Sequence, residues 1–258
     1  MSIDVNVLSP AEKLLWSHGF RKPEHIDLEG IAIAKGACVV YRCLDGCAAR
    51  LLTDGDKAVI SIAKEDNEGR QRFSLGHELA HWINDAKKAS FRCASDDIGP
   101  QNAEASDAES QANIFASQLI LPNYMVDPWM EGRKISLNVA KDMHDDFRSS
   151  ITASAIKLAK RSMTPALVVS HSMHGRRWYV PGRAWPIEVH PKKELHHDTG
   201  AFDIVFNASS RMSTPRKEPA HHWLAGSHDV FRAEVVAQSM KLPDGSALTM
   251  LVLQQAKR

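Results

Sequence analysis

The stretch FSLGHELAHW, residues 73–82, places His77 and His81 four apart with Glu78 directly after the first histidine. Phe73, Leu79, Ala80 and Ile83 supply apolar positions at helical spacing, which predicts a helix over about 69–84. Residues four apart in a helix lie about 40° from eclipsed, so the two imidazoles share a face and can grip one ion. Glu78 points beside that face, where it reaches a metal-activated water without ligating the metal. This is the H-E-x-x-H arrangement of hydrolytic zinc sites. The competing account is an ordinary helix that carries two histidines. Gly76 weighs against it: glycine costs about 1 kcal/mol in a helix interior. It is easier to understand if another element packs closely there.

Two ligands leave the coordination set incomplete. The extended pattern H-E-x-x-H-x-x-G-x-x-H would need glycine and histidine where this chain has Asn84 and Lys87, so that class is excluded. What remains is a downstream acid, completing a His2Glu site with an open position. Glu104 and Glu109 are the leading candidates, followed by Asp96, Asp97, Asp107 and His144. Glu109 is best placed, because Ala108, Ala112 and Ala116 would let its helix approach the motif helix. Asn113, one turn on, could accept a hydrogen bond from a ligand imidazole and fix its tautomer. However, Ser106-Asp107-Ala108-Glu109 also reads as a capping box. Spacing alone leaves cap and ligand equal for Glu109.

Working outward, Ser9-Pro10 caps a first helix that Gly19 closes, and "PEHIDLEGIAIAKG" predicts a second. "ACVVYRCL", "CAARLL" and "KAVISIA" predict a small three-stranded, mostly antiparallel sheet with turns at "DG" and "TDGD". "DAKKASFRCASDDIGPQN" reads as a loop. A helix from Asp107 to about Leu121 ends at Pro122. Helical patterns follow near 122–130, in "SLNVAKDMHDDF" and in "SSITASAIKLAKR". After Pro165, "ALVVS", "RRWYVP", "FDIVF", "VFRAEVVAQS" and "ALTMLVLQQ" read as strands, the last two joined by "LPDGS". The fold class is therefore α+β. Residues 1–121 are read as a helical domain with the small sheet, 122–162 as a helical segment, and 163–258 as a strand-rich domain.

The bulk numbers fit this reading. With 258 residues, 43% hydrophobic and 24% charged, the chain has the composition of a globular protein with a sizeable core. A net charge of +1 gives no global attraction to nucleic acid or an anionic membrane. Met1-Ser2-Ile3-Asp4 lacks a secretory start, and no apolar run nears the roughly 20 residues of a membrane span. A cytoplasmic location with no membrane partner is expected. Cys38, Cys43, Cys47 and Cys93 are too few for a disulfide scaffold, and Cys43-x3-Cys47 reads as part of a hairpin.

The pair "RQRFSLGHELAHW" and, some thirty residues on, "ESQANIFASQLILP" resembles the paired signature of the ImmA/IrrE metallopeptidases, R-x-x-F-[ST]-x-x-H-E-x-x-H and E-x-x-A-N-x-F-A-x-x-L-L-x-P. The lead-in "AEKLLWSHGF…DLEGIAIAKGACVVY" is similar too, so the resemblance spans roughly residues 8–160. Departures are Gly76 where alanine is commoner, Ala80 where glycine is commoner, and Ile120 for leucine. The resemblance implies a gluzincin-like site, with His77, His81 and Glu109 holding one catalytic Zn2+ (another divalent metal being compatible) and Glu78 as general base. It implies as well that 1–121 is a zinc-peptidase domain, that 122–162 is helix-turn-helix-like, and that the substrate is a helix-turn-helix repressor whose cleavage releases stress-response or mobile-element genes. A further group should stabilise the tetrahedral oxyanion, and Tyr124 and His144 are the candidates.

Two other classes compete. One is a non-catalytic transcriptional regulator stapled by its metal; the other is a toxin–antitoxin or phage-defence component acting through DNA or a partner. "SSITASAIKLAKR" carries Lys157, Lys160 and Arg161, as a DNA-reading helix would. The same charges complement the dipole of any helix C-terminus, which is the preferred account in a near-neutral chain. Eight of the thirteen histidines follow Pro165, including His196-His197 and His221-His222. They could bind a second metal or sense pH. Scattered loop histidines are the preferred account, since neighbours on a strand face opposite ways. The C-terminal region has only a loose analogy to a sensor-like or substrate-binding domain.

Overall fold

The structure, a computed structural model, describes residues 3–64, 67–85, 91–94, 107–207, 212–226 and 232–254, with backbone alone at 85 and 91–94. The chain divides into two compact units: Met1–Glu131 with Met143–Ala153, and Gly132–Asp142 with Ser154–Arg258. The 122–162 segment thus contributes to both. Among the described residues no helix is long and apolar enough to cross a membrane.

In the first unit, helix α1 (Pro10–Ser17) opens on a complete capping box between Ser9 and Glu12, with Pro10 in the first turn. The "PEHIDLEGIAIAKG" segment breaks in two, a 3-10 turn at Pro23–His25 and α2 (Leu28–Ala34). The break falls at Asp27, whose side chain accepts from Gly30 N–H and starts the second piece. Strands β1 (Ala37–Arg42), β2 (Cys47–Asp54) and β3 (Lys57–Ala63) follow. A fourth, β4 (Phe91–Ala94), pairs antiparallel with β2, inside a stretch whose polarity had suggested loop. The remainder of that stretch after Asp85 lies outside the described residues.

The sheet order is β1-β3-β2-β4, so β1 and β2 are not hairpin partners, and β1 pairs parallel with β3. The reason is burial. Ala58, Ile60, Ser61 and Ile62 make β3 the most enclosed strand and give it a central place. β1 exposes Cys38, Val40 and Arg42 on alternate positions and suits an edge. β2 and β3 form the expected tight hairpin, with Gly55 at φ +56°.

Helix α3 (Glu68–Asp85) carries the motif, and α4 (Asp107–Ile120) packs against it. Helices α5 (Asn123–Met130), α6 (Leu137–Phe147) and α7 (Ile151–Arg161) come next, close to the expected ranges.

The second unit is built on an antiparallel sheet of order β6-β5-β11-β10-β8. Its strands are β5 (Ala166–Ser172), β6 (Gly175–Pro181), β8 (Arg216–Pro219), β10 (Glu234–Lys241) and β11 (Ala247–Gln254). A two-stranded ribbon, β7 (His190–Pro191) with β9 (Leu224–Ala225), stands beside it. "FDIVF", expected as a strand, is instead most of helix α8 (Gly200–Phe206). Thr199 caps that helix through Phe202 N–H, and Ala201 and Ile204 turn a three-residue spacing onto the sheet. Short helix α9 (Ala220–Trp223) closes the same core, which gathers Leu167, Val169, Trp223, Val235 and Leu251.

Candidate metal centre

The first unit brings His77, His81 and Glu109 together. Their ligand atoms converge: His77 Nε2 lies 3.1 Å from His81 Nε2 and 3.0 Å from Glu109 Oε2, while His81 Nε2 lies 3.5 Å from the other carboxylate oxygen, Glu109 Oε1. Donors bound at about 2.0–2.1 Å around a tetrahedral zinc stand about 3.3 Å apart. The three separations therefore fit a His2Glu set for a borderline divalent ion. His77 and His81 are fully enclosed, while Glu109 is partly exposed.

Each ligand is placed for a local reason. His77 and His81 follow from helical spacing on α3. Glu109 arrives from α4 because the two helices touch closely: a Cβ built on Gly76 would stand 3.3 Å from both Cα and Cβ of Ala116. Gly76 and the small-residue face of α4 thus explain each other. Asn113 Oδ1 accepts from His77 Nδ1 at 3.0 Å. An amide oxygen can only accept, so Nδ1 carries the proton and Nε2 is left bare toward the cluster. The two imidazoles beside Glu109 hold its carboxyl down to about 2, the ionised form a metal needs.

The ambiguity at Glu109 is thereby reduced: its carboxylate meets both histidines, while Ser106 lies outside the described residues. Glu104, Asp96 and Asp97 also lie outside them. Asp107 sits on the first turn of α4 and is not part of the cluster. Glu78 is fully buried on α3 beside the ligand face. A cavity of about 550 Å³ opens next to His81, with Ser9, Asn84, Gln111 and Phe115 in its walls.

Neither oxyanion candidate joins the cluster. Tyr124 donates its hydroxyl to Phe20 O at 2.8 Å and stands edge-on to Trp16. Burial pushes that hydroxyl up to about 12. His144 directs Nδ1 at Ser149 O, which closes the turn after α6. Lys157, counted among the basic residues of α7, is buried along with Ser154–Ala159 around it, so that helix is not a free basic face. Cys38, Cys43 and Cys47 are free thiols, and no cysteine joins a metal-ligating cluster among the described residues. The histidine pairs of the second unit, expected to be scattered, are gathered: His196, Asp198 and His222 form a second group of ligand atoms.

Residues 41–159 match the family model of the IrrE N-terminal-like domain, a peptidase family. No curated protein matches the sequence. Among solved structures the chain is similar to a Mycobacterium tuberculosis transcriptional regulator, with 14% identity and a TM-score of 0.61 over 94% of this chain and 75% of that one. At that identity the likeness is one of fold.

Proposed function

We propose that the chain is a zinc-dependent endopeptidase that cleaves a helix-turn-helix repressor, a reading supported by the match of residues 41–159 to the IrrE N-terminal-like peptidase family model. One observation carries the reading: His77 Nε2, His81 Nε2 and the Glu109 carboxylate converge with the spacing of a zinc ligand set. Zinc held there would supply Lewis acidity toward a water and the scissile carbonyl. Glu78 takes the proton of the attacking water and passes it to the leaving amine. Asn113 keeps the His77 ring oriented and its Nε2 bare. The choice of a small DNA-binding repressor as substrate comes from the resemblance to the ImmA/IrrE metallopeptidases.

Glu78→Gln should retain stoichiometric zinc yet fail to cleave a co-expressed repressor encoded beside it. Cleavage by that variant would remove Glu78 from the role of base. His77→Ala should lose this metal, and full occupancy of the His77–His81–Glu109 centre after the change would sink the site.

A further inference from the structure

The second unit gathers histidines that lie far apart in the chain. β7 pairs with β9 in the register His190↔Ala225 and Pro191↔Leu224. The zip continues as Lys192 N–H donates to Trp223 O at 2.7 Å and Lys192 Nζ to His221 O. Trp223 is buried and donates its indole N–H to Glu218, itself held by Arg216. These bonds hold α9, and with it His222, in place, and ring stacking sets His222 beside the turn that precedes α8. On that turn Thr199 donates both its backbone N–H and its hydroxyl to His196 O.

The rings meet as a result. His196 and His222 stack with centroids 3.9 Å apart and planes 6° from parallel, and His197 stacks on His196 at 4.4 Å. The His196, Asp198 and His222 ligand atoms all lie within 4.8 Å of one another. His196 Nδ1 stands 3.6 Å from Asp198 Oδ2 and accepts the Asp198 backbone N–H at 3.3 Å. That contact requires an unprotonated Nδ1, whose lone pair a metal ion would take over from the Asp198 N–H. His222 Nδ1 is buried with no hydrogen-bond partner among the described residues. A buried polar atom in that position is costly unless something satisfies it.

We propose that His196, Asp198 and His222 form a second metal site, which takes a borderline divalent ion of the zinc class. Two imidazoles and one carboxylate suit such an ion better than calcium or magnesium. The donors already lie within 4.8 Å of one another, and a bound set, roughly 3.3 Å apart, is reached by a small movement of the most mobile of them. Asp198, well exposed on the turn, is free to make that movement by changing rotamer. His197 Nε2, 3.5 Å from the other Asp198 oxygen, orients the carboxylate. The bound ion would cross-link the 196–198 turn to α9.

The test is zinc stoichiometry on the full chain, stripped with chelator and titrated with Zn2+ against a colorimetric competitor. Wild type should bind two equivalents and His77→Ala one. His222→Ala and Asp198→Asn should each bind one equivalent, which His77→Ala then abolishes in the double variants. Asp198→Asn is isosteric and exposed, so it loses the ligand without threatening the fold. A single equivalent in wild type that His77→Ala removes overturns the proposal, as does a second equivalent that survives both His222→Ala and Asp198→Asn. Because the centre on α3 is scored by His77→Ala alone, failure of either site is read separately from the other.

Discussion

At the scale of single residues, the cluster on α3 and α4 depends on Asn113 as much as on its ligands. The Asn113 carbonyl selects which His77 nitrogen is bare, and an imidazole without that partner samples the wrong tautomer and ring angle. Asn113→Ala should therefore weaken zinc binding about 10–100-fold while the protein stays folded. Competitive zinc titration alongside circular dichroism checks it, and unchanged affinity would make Asn113 a bystander. Sequence suggested this contact from one helical turn of spacing after Glu109. It could not decide whether Glu109 faced a histidine or its own helix start, because both are satisfied by the same local pattern. The meeting of α3 and α4 favours the histidines. Tyr124 and His144 show the converse: both residue types suit oxyanion chemistry, yet neither joins the cluster, the Tyr124 hydroxyl being engaged on Phe20 and His144 Nδ1 on Ser149.

At the scale of elements, close approach between helices sets the ligand geometry, and glycines mark where it occurs. At Gly76 a Cβ would sit 3.3 Å from Ala116, a gap that a few tenths of an ångström can relieve. Gly76→Ala should be near neutral, its small overlap offset by better helix propensity. Gly76→Leu should push α4 away, costing about 1–3 kcal/mol and loosening Glu109 from the histidines. Urea unfolding and zinc affinity should worsen together in that variant but not in the alanine one. Gly69 is stricter, since a Cβ there would stand 2.4 Å from the Ser149 carbonyl carbon and Ser150 nitrogen. Backbone cannot yield as a side chain does, so Gly69→Ala should lower the unfolding midpoint more than Gly76→Ala. Element types were mostly legible from pattern: α3 through α7 follow apolar periodicity and caps. "FDIVF" was not, because the strand propensity of Phe202, Ile204, Val205 and Phe206 is outweighed by the Thr199 cap and by the helical spacing of Ala201 and Ile204.

Across the whole molecule, the strand-rich unit carries a pH liability at a histidine outside both metal clusters. His171 is buried on β5, and burial lowers it to about 4 despite the Lys192 carbonyl it faces, with Arg176 adding a smaller push in the same direction. An unfolded histidine titrates near 6.5. Between those values the unfolded chain binds a proton that the folded chain does not, so stability rises with pH there. It is fully present above about 6.5 and lost as pH falls toward 4, by about 3 kcal/mol at the limit. His171→Leu should flatten that part of the pH profile of chemical unfolding. A wild-type slope persisting in the variant would assign the effect to other groups.

The division between sequence and structure follows from range. H-E-x-x-H, the helix caps, the turn glycines and the apolar periodicities are local, so the chain by itself determined the motif helix, most elements and the α+β class. It also determined that His77, Glu78 and His81 share one helical turn, since 3.6 residues per turn admits no alternative. Strand order, the central place of β3 and the partner of Glu109 depend on which apolar faces exclude water together, and only the tertiary structure decided them. The C-terminal histidines make the same point most sharply. Counted along the chain, His196 and His222 are separated by 25 residues with no common period. The β7–β9 pairing and the anchoring of Trp223 stack them face to face.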